Sequence, residues 1–137
     1  MGYELSYTVK PEHIDFQDIM DGLYYPYYME DCRHRFVKDI LHLDIREEAQ
    51  RGVNAVLSQY TIRFFRPLRR DDAFVVTCQV SPDESGKPQI HFHQEMLRDG
   101  KLIASATFTA TFVATSGGRP FLPETLVEQL KQAQTHE

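Results

Sequence analysis

The sequence predicts an α+β fold, a curved antiparallel sheet wrapped around one long central helix. Three observations lead there. One long stretch, residues 26–41, carries Met29, Cys32, Phe36 and Ile40 at helical spacing, with Glu30, Asp31, Arg35, Lys38 and Asp39 largely on other faces. Four later stretches alternate with a period of two, the pattern of half-buried strands. The last two of these are joined by Asp99-Gly100, a dipeptide suited to the tight turn of an antiparallel hairpin.

In chain order, residues 3–10 (YELSYTVK) are rich in strand formers and stop at Pro11. Residues 11–25 have no clear period and read as a structured loop holding His13, Asp15, Asp18, Asp21 and Gly22. Pro26 suits the first helical position, where its missing N–H costs nothing. Residues 45–52 (IREEAQRG) form a second short helical piece or turn, stopped by Gly52. Then come the strands. Residues 54–65 set Val56, Ser58, Tyr60, Ile62 and Phe64 against Leu57, Gln59, Thr61, Arg63 and Phe65. Residues 73–81 put Phe74, Val76, Cys78 and Val80 on one face, and residues 89–98 do the same with Ile90, Phe92, Gln94 and Met96. Residues 101–114 set Leu102, Ala104, Ala106, Phe108, Ala110, Phe112 and Ala114 opposite Ser105, Thr107, Thr109 and Thr111. Asp71-Asp72 and Ser85-Gly86 mark the other turns, and a terminal helix closes the chain. A meander with one mainly apolar face needs a cover, which the long helix supplies. The alanines of the last strand suit its close approach.

The chain has 137 residues, so one domain spanning residues 1–137 is expected. A net charge of −5 argues against a nucleic-acid binder that works by neutralising phosphates. Cys32 and Cys78, the only two cysteines, sit inside apolar patterns and read as core thiols of a reducing compartment. No apolar run approaches the ~20 residues of a membrane span, so a cytoplasmic location is expected.

Several residues could carry chemistry. Asp15, Asp18 and Asp21 precede the long helix. They either cap its N-terminus or supply a general base beside amides able to hold an oxyanion. The run Tyr24-Tyr25-Pro26-Tyr27-Tyr28 cannot turn every ring inward, so at least one ring is expected to line a pocket or an interface. His91 and His93 share a strand face, a pair that suits a metal, yet no third ligand is spaced nearby and no metal site is expected. Arg63, Arg66, Arg69 and Arg70 form either a solvated rim or an anion-binding patch, and Lys87 is a further basic candidate. Phosphate-binding glycine loops, nucleophile-elbow serines and paired CxxC motifs do not occur.

Four pieces in order carry a family resemblance: Tyr28-Met29-Glu30-Asp31-Cys32-Arg33 on the helix, residues 56–72 (VLSQYTIRFFRPLRRDD), residues 98–114 (RDGKLIASATFTATFVA), and Gly118-Arg119-Pro120 followed by Leu122-Pro123. Together they resemble the hot-dog-fold acyl-CoA thioesterases of the 4-hydroxybenzoyl-CoA thioesterase-like branch, over nearly the whole chain. The resemblance implies hydrolysis of an acyl thioester to free acid and CoA without a cofactor, and a homodimer or homotetramer with the acyl site between subunits. Ungapped, it places the catalytic aspartate on Asp15. A second register, which holds Tyr25-Pro26 in line and deletes three residues, places it on Asp18. Two positions depart from the pattern: the family's glycine three residues after the aspartate is Asp18, and its helix-start His or Tyr is Gly22. On this reading amides near Gly22–Tyr25 hold the oxyanion and Tyr24 or Tyr25 shapes the acyl pocket. Lys87, Arg66, Arg69 and Arg70 would meet the CoA phosphates. Two alternatives are a non-catalytic acyl-CoA-binding module on the same fold and an acyl-thioester hydratase or dehydratase.

Overall fold

The computed structural model describes residues 2–135. Five strands and three helices follow in the order β1 (Tyr3–Thr8), α1 (Tyr25–Asp39), α2 (Ile45–Gln50), β2 (Val53–Phe64), β3 (Ala73–Pro82), β4 (Ile90–Arg98), β5 (Lys101–Ala114) and α3 (Glu124–Thr135). The strands form one sheet in the order β1-β3-β4-β5-β2. β1 lies antiparallel to β3 in a register that runs from Tyr3 opposite Cys78 to Thr8 opposite Ala73. Asp99 and Gly100 both adopt positive φ, 53° and 75°, the pair of left-handed residues that a tight hairpin turn between β4 and β5 requires.

Two compact units share the chain. The first draws on the segments up to Arg33, Thr61–Gln79 and His93–Thr107. Its core sets the ring of Tyr28 edge-on to Phe74 at 5.1 Å and to Tyr7 at 5.7 Å. Met29, Cys32, Val76 and Met96 are fully buried, and Cys32 donates its S–H to the Val76 carbonyl at 3.4 Å. Arg33 is buried too. Its Nη1 donates to Gln94 Oε1 at 3.1 Å, and Gln94 Nε2 donates onward to the Met29 carbonyl at 2.9 Å. A charge placed inside a core is tolerable only when partnered in this way.

The second unit draws on His34–Tyr60, Val80–Phe92 and the chain from Phe108 on. Phe36 meets Phe92 edge-on at 6.3 Å, and Tyr60 stacks on Phe108 at 5.0 Å. Asp44 caps α2, accepting from the amides of Arg46 and Glu47 at 3.0 and 3.1 Å. The turn between β3 and β4 is organised by one carboxylate. Asp83 accepts from the Ser85 hydroxyl, from the Lys87 amide at 3.1 Å, from Gln89 Nε2 at 2.9 Å and from His91 Nε2 at 2.8 Å. These donors hold its pKa well below the usual carboxylate range, the Ser85 hydroxyl contributing most.

Two details differ from the sequence reading and a third adds to it. Helix α1 starts at Tyr25, so Pro26 sits second, still inside the first turn where amides lack helical acceptors. Ile40 lies just past the helix end and is 41% exposed, while the buried position passes to Leu41. Thr109 and Thr111, opposite the apolar row of β5, are themselves buried, beneath the β3–β4 turn. Thr109 Oγ1 lies 2.9 Å from His91 Nδ1, and Thr111 donates to the Pro88 carbonyl.

β2 ends the sheet order, and neither of its alternating rows is buried. Val56, Tyr60 and Phe64 are exposed on one side, and Leu57 on the other. No described helix is long and apolar enough to cross a membrane.

Candidate active site

The loop ahead of α1 folds as a miniature hairpin. The Asp21 amide donates to the His13 carbonyl at 2.9 Å, Ile14 bridges antiparallel to Met20, and the Asp15 amide donates to the Ile19 carbonyl at 2.9 Å. At its tip the Asp18 amide donates back to the Asp15 carbonyl at 3.1 Å. The Met20 amide donates to the Leu68 carbonyl at 2.7 Å and fastens the hairpin to the segment after β2.

Asp15 is half-buried on one arm. Its Oδ1 accepts from the Gln17 amide at 2.8 Å, a local turn that fixes the carboxylate, and Gln17 Nε2 lies 3.3 Å from Oδ2. Phe16, beside it, is 96% exposed, and Leu23 is exposed as well. Asp18 stands exposed at the tip with φ 65°, a left-handed conformation that glycine adopts most readily. Aspartate is among the few side chains that tolerate that conformation. Asp18→Gly should therefore keep activity and raise stability by up to ~1 kcal/mol, whereas Asp18→Val should lose ~1–2 kcal/mol. Thermal melts and turnover of the two variants check this.

Asp21 caps the 3₁₀ turn Gly22–Tyr24 that leads into α1. Its carboxylate accepts from the Leu23 amide at 2.9 Å, and its carbonyl accepts from the Tyr24 amide at 3.0 Å. Two of the amides expected to face an oxyanion are thus engaged, and Gly22 is left exposed at the head of the turn with open space around its α-carbon. Beside it lies a groove of about 360 Å³ lined by Met20, Gly22, Tyr25, Phe64, Phe65 and Arg66. Tyr25 is buried and meets Phe64 edge-on at 5.0 Å. Its hydroxyl accepts from the Leu68 amide at 3.2 Å, so its own proton remains available. Desolvation raises the phenol pKa, with a smaller rise from the Asp15 carboxylate, which keeps Tyr25 a donor; Asp15 itself is not among the residues that line the groove.

The other candidates fall as follows. Tyr24 stacks on His13 at 4.0 Å and does not line the groove. Arg66 lines it and donates from Nη1 to the Leu102 carbonyl at 3.0 Å. Arg69 and Arg70 are exposed, the Arg69 amide donating to Asp72 at 2.7 Å. Lys87 is exposed on the β3–β4 turn and belongs to the second unit. Both ring nitrogens of His91 are engaged by Asp83 and Thr109, and the described residues contain no group of three or more potential metal ligands. A larger groove of about 680 Å³ runs past Glu4, Tyr7, Phe74 and Leu97 and contains none of the candidates.

The family model of the thioesterase-like superfamily matches residues 9–130. The chain belongs to that superfamily. This thioesterase-like chain is 28% identical over 108 residues to the chloroplastic acyl-acyl carrier protein thioesterase of Arabidopsis thaliana, a match covering 74% of this chain and 56% of that protein. It thus spans about half the length of the curated relative it matches. The fold is the hot-dog fold. A 1,4-dihydroxy-2-naphthoyl-CoA thioesterase from Synechocystis superposes with a TM-score of 0.85 at 14% identity, over 98% of both chains. A Staphylococcus aureus protein solved in complex with CoA superposes with a TM-score of 0.87 at 17% identity, over 100% of this chain and 86% of that one.

Proposed function

We propose that this thioesterase-like chain hydrolyses an acyl thioester of CoA, with Asp15 as the base that activates water. The observation that carries this reading is a half-buried carboxylate fixed on a hairpin whose Ile19 and Met20 line a groove that combines aromatic walls with the Tyr25 phenol. A thiolate leaves readily, so addition to the carbonyl is the demanding step. The carboxylate takes one proton from water as the oxygen adds to the carbonyl carbon. Negative charge then gathers on the carbonyl oxygen, where the Gly22 amide and the Tyr25 hydroxyl are the available donors. Collapse of that adduct breaks the C–S bond and expels the CoA thiolate, which recovers a proton.

Tyr25, Phe64 and Phe65 would receive the acyl group, and Arg66, with Arg69 and Arg70 nearby in sequence, would meet phosphate. Lys87 is a further candidate for that contact. A match running from residue 9 to residue 130 supports one catalytic domain over both compact units. The uncovered row of β2 that carries Val56, Tyr60 and Phe64, with Phe16 exposed beside Asp15, supports a homodimer or homotetramer that completes the groove with a second copy. Two buried free thiols suit a reducing, cytoplasmic setting.

A panel of short, long and aromatic acyl-CoAs, with an acyl-carrier-protein thioester alongside, tests the reading through release of free thiol. Thiol release from at least one member, by a protein whose solution mass is two or four times 16.0 kDa, is the expected result. Tight binding with no thiol released returns the chain to the binding-module alternative. Hydration of an enoyl thioester returns it to the hydratase alternative.

A further inference from the structure

His13, two residues ahead of Asp15, is buried, although nothing in the hydrolytic scheme uses it. Its ring lies flat on Tyr24 at 4.0 Å and meets Tyr27 and Tyr28 edge-on at 5.0 and 5.4 Å. Its Nδ1 stands 2.8 Å from the Tyr28 hydroxyl. That hydroxyl already accepts from the Lys10 amide at 3.0 Å, so its single proton needs an acceptor, and Nδ1 is the one the described contacts provide. The bond therefore runs from Tyr28 to His13 and leaves the imidazole neutral with its proton on Nε2. Burial, the largest influence on this ring, lowers its pKa and agrees with the neutral form, while Glu12 and Lys10 act on it in opposite senses.

The backbone of His13 forms the base of the hairpin. Its carbonyl receives the Asp21 amide, and its own amide donates to the Lys10 carbonyl at 3.0 Å. One residue thus joins the first turn of α1 to the arm on which Asp15 is mounted. We propose that the Tyr28–His13 hydrogen bond is a positioning device: it sets the height and tilt of the hairpin and so holds the Asp15 carboxylate in register with the groove. Both residues are buried and neither lines the groove. Displacement of a reacting group by ~1 Å can cost ~10²-fold in rate, so a staple this close to the base is a sensitive point.

The proposal rests on Asp15 as the base, and its test has an arm that does not. Tyr28→Phe keeps the ring contacts and removes the proton, His13→Ala removes the acceptor, and His13→Asn can offer its amide oxygen where Nδ1 stood. With the most active acyl-CoA of the panel, Tyr28→Phe and His13→Ala should each lower kcat by ~10-fold or more while KM moves less than ~3-fold. The double variant should be no worse than the poorer single one, and His13→Asn should recover most of the rate. Wild-type kcat in Tyr28→Phe, or independent losses that multiply in the double variant, overturns the proposal. The second arm reads amide hydrogen exchange at Asp15 and Asp21, whose N–H groups close the hairpin. Faster exchange there in Tyr28→Phe, with the β4 and β5 amides unchanged, is expected whether or not any thioester is cleaved. If the wild-type protein cleaves none, that result upholds the staple while the hydrolytic reading falls. Unchanged exchange at both amides overturns the staple itself.

Discussion

Asp15→Asn is expected to lower the kcat for acyl-CoA hydrolysis by ~10²-fold or more and to leave the melting temperature close to wild type. The substitution is nearly isosteric. The amide oxygen can still accept from the Gln17 amide, so the local turn that fixes the side chain survives. What disappears is the capacity to take a proton from water. Asp18→Asn is the matched control. That side chain is exposed at the hairpin tip, and its service is conformational, through a φ of 65° that asparagine also tolerates. Stopped assays of both variants with the preferred acyl-CoA decide between the two registers. Normal turnover in Asp15→Asn together with a collapse in Asp18→Asn would reverse the assignment.

The largest effect on stability is expected from Gln94→Leu, at about 3 kcal/mol. The replacement suits the volume and the strand, and by hydropathy alone it looks favourable. It fails on hydrogen bonding. Gln94 accepts from Arg33 and donates to the Met29 carbonyl, all inside the core. Leucine removes one of the partners of a buried guanidinium, and loss of one partner of a buried charge costs more than the pair contributes. Burial already pushes the Arg33 pKa downward, a sign that its charge is not well solvated. Chemical denaturation should show a lower midpoint with an unchanged slope, and Arg33→Leu added to Gln94→Leu should recover part of the loss. A midpoint equal to wild type would mean that Arg33 has other sufficient partners.

Much of this architecture is legible in the residue order, for reasons that differ from element to element. α1 announces itself because Met29, Cys32 and Phe36 repeat at helical spacing and are buried. The β4–β5 hairpin follows from Asp99-Gly100, since few other pairs adopt two successive left-handed conformations. β2 is half legible. Its alternation marks a strand, but a period of two does not say which face this chain itself covers, and here it covers neither row. Arg33 lies among the buried residues of α1 for a reason no helical wheel reveals, a glutamine on β4 that receives its N–H. The candidate site divides in the same way. A resemblance in the helix and its flanks leads to Asp15, but the staple beneath it does not show. His13 and Tyr28 are fifteen residues apart, and only the fold brings them to 2.8 Å.

The two thiols have a practical consequence. Cys32 and Cys78 are both sealed in the core, the first bonded to a strand carbonyl and the second with its ionisation pushed sharply upward by desolvation. Neither offers a thiolate to a colorimetric disulfide reagent while the protein stays native. Any yellow colour that develops during turnover thus comes from liberated coenzyme alone, and a second rise on adding denaturant counts the enzyme in the same cuvette.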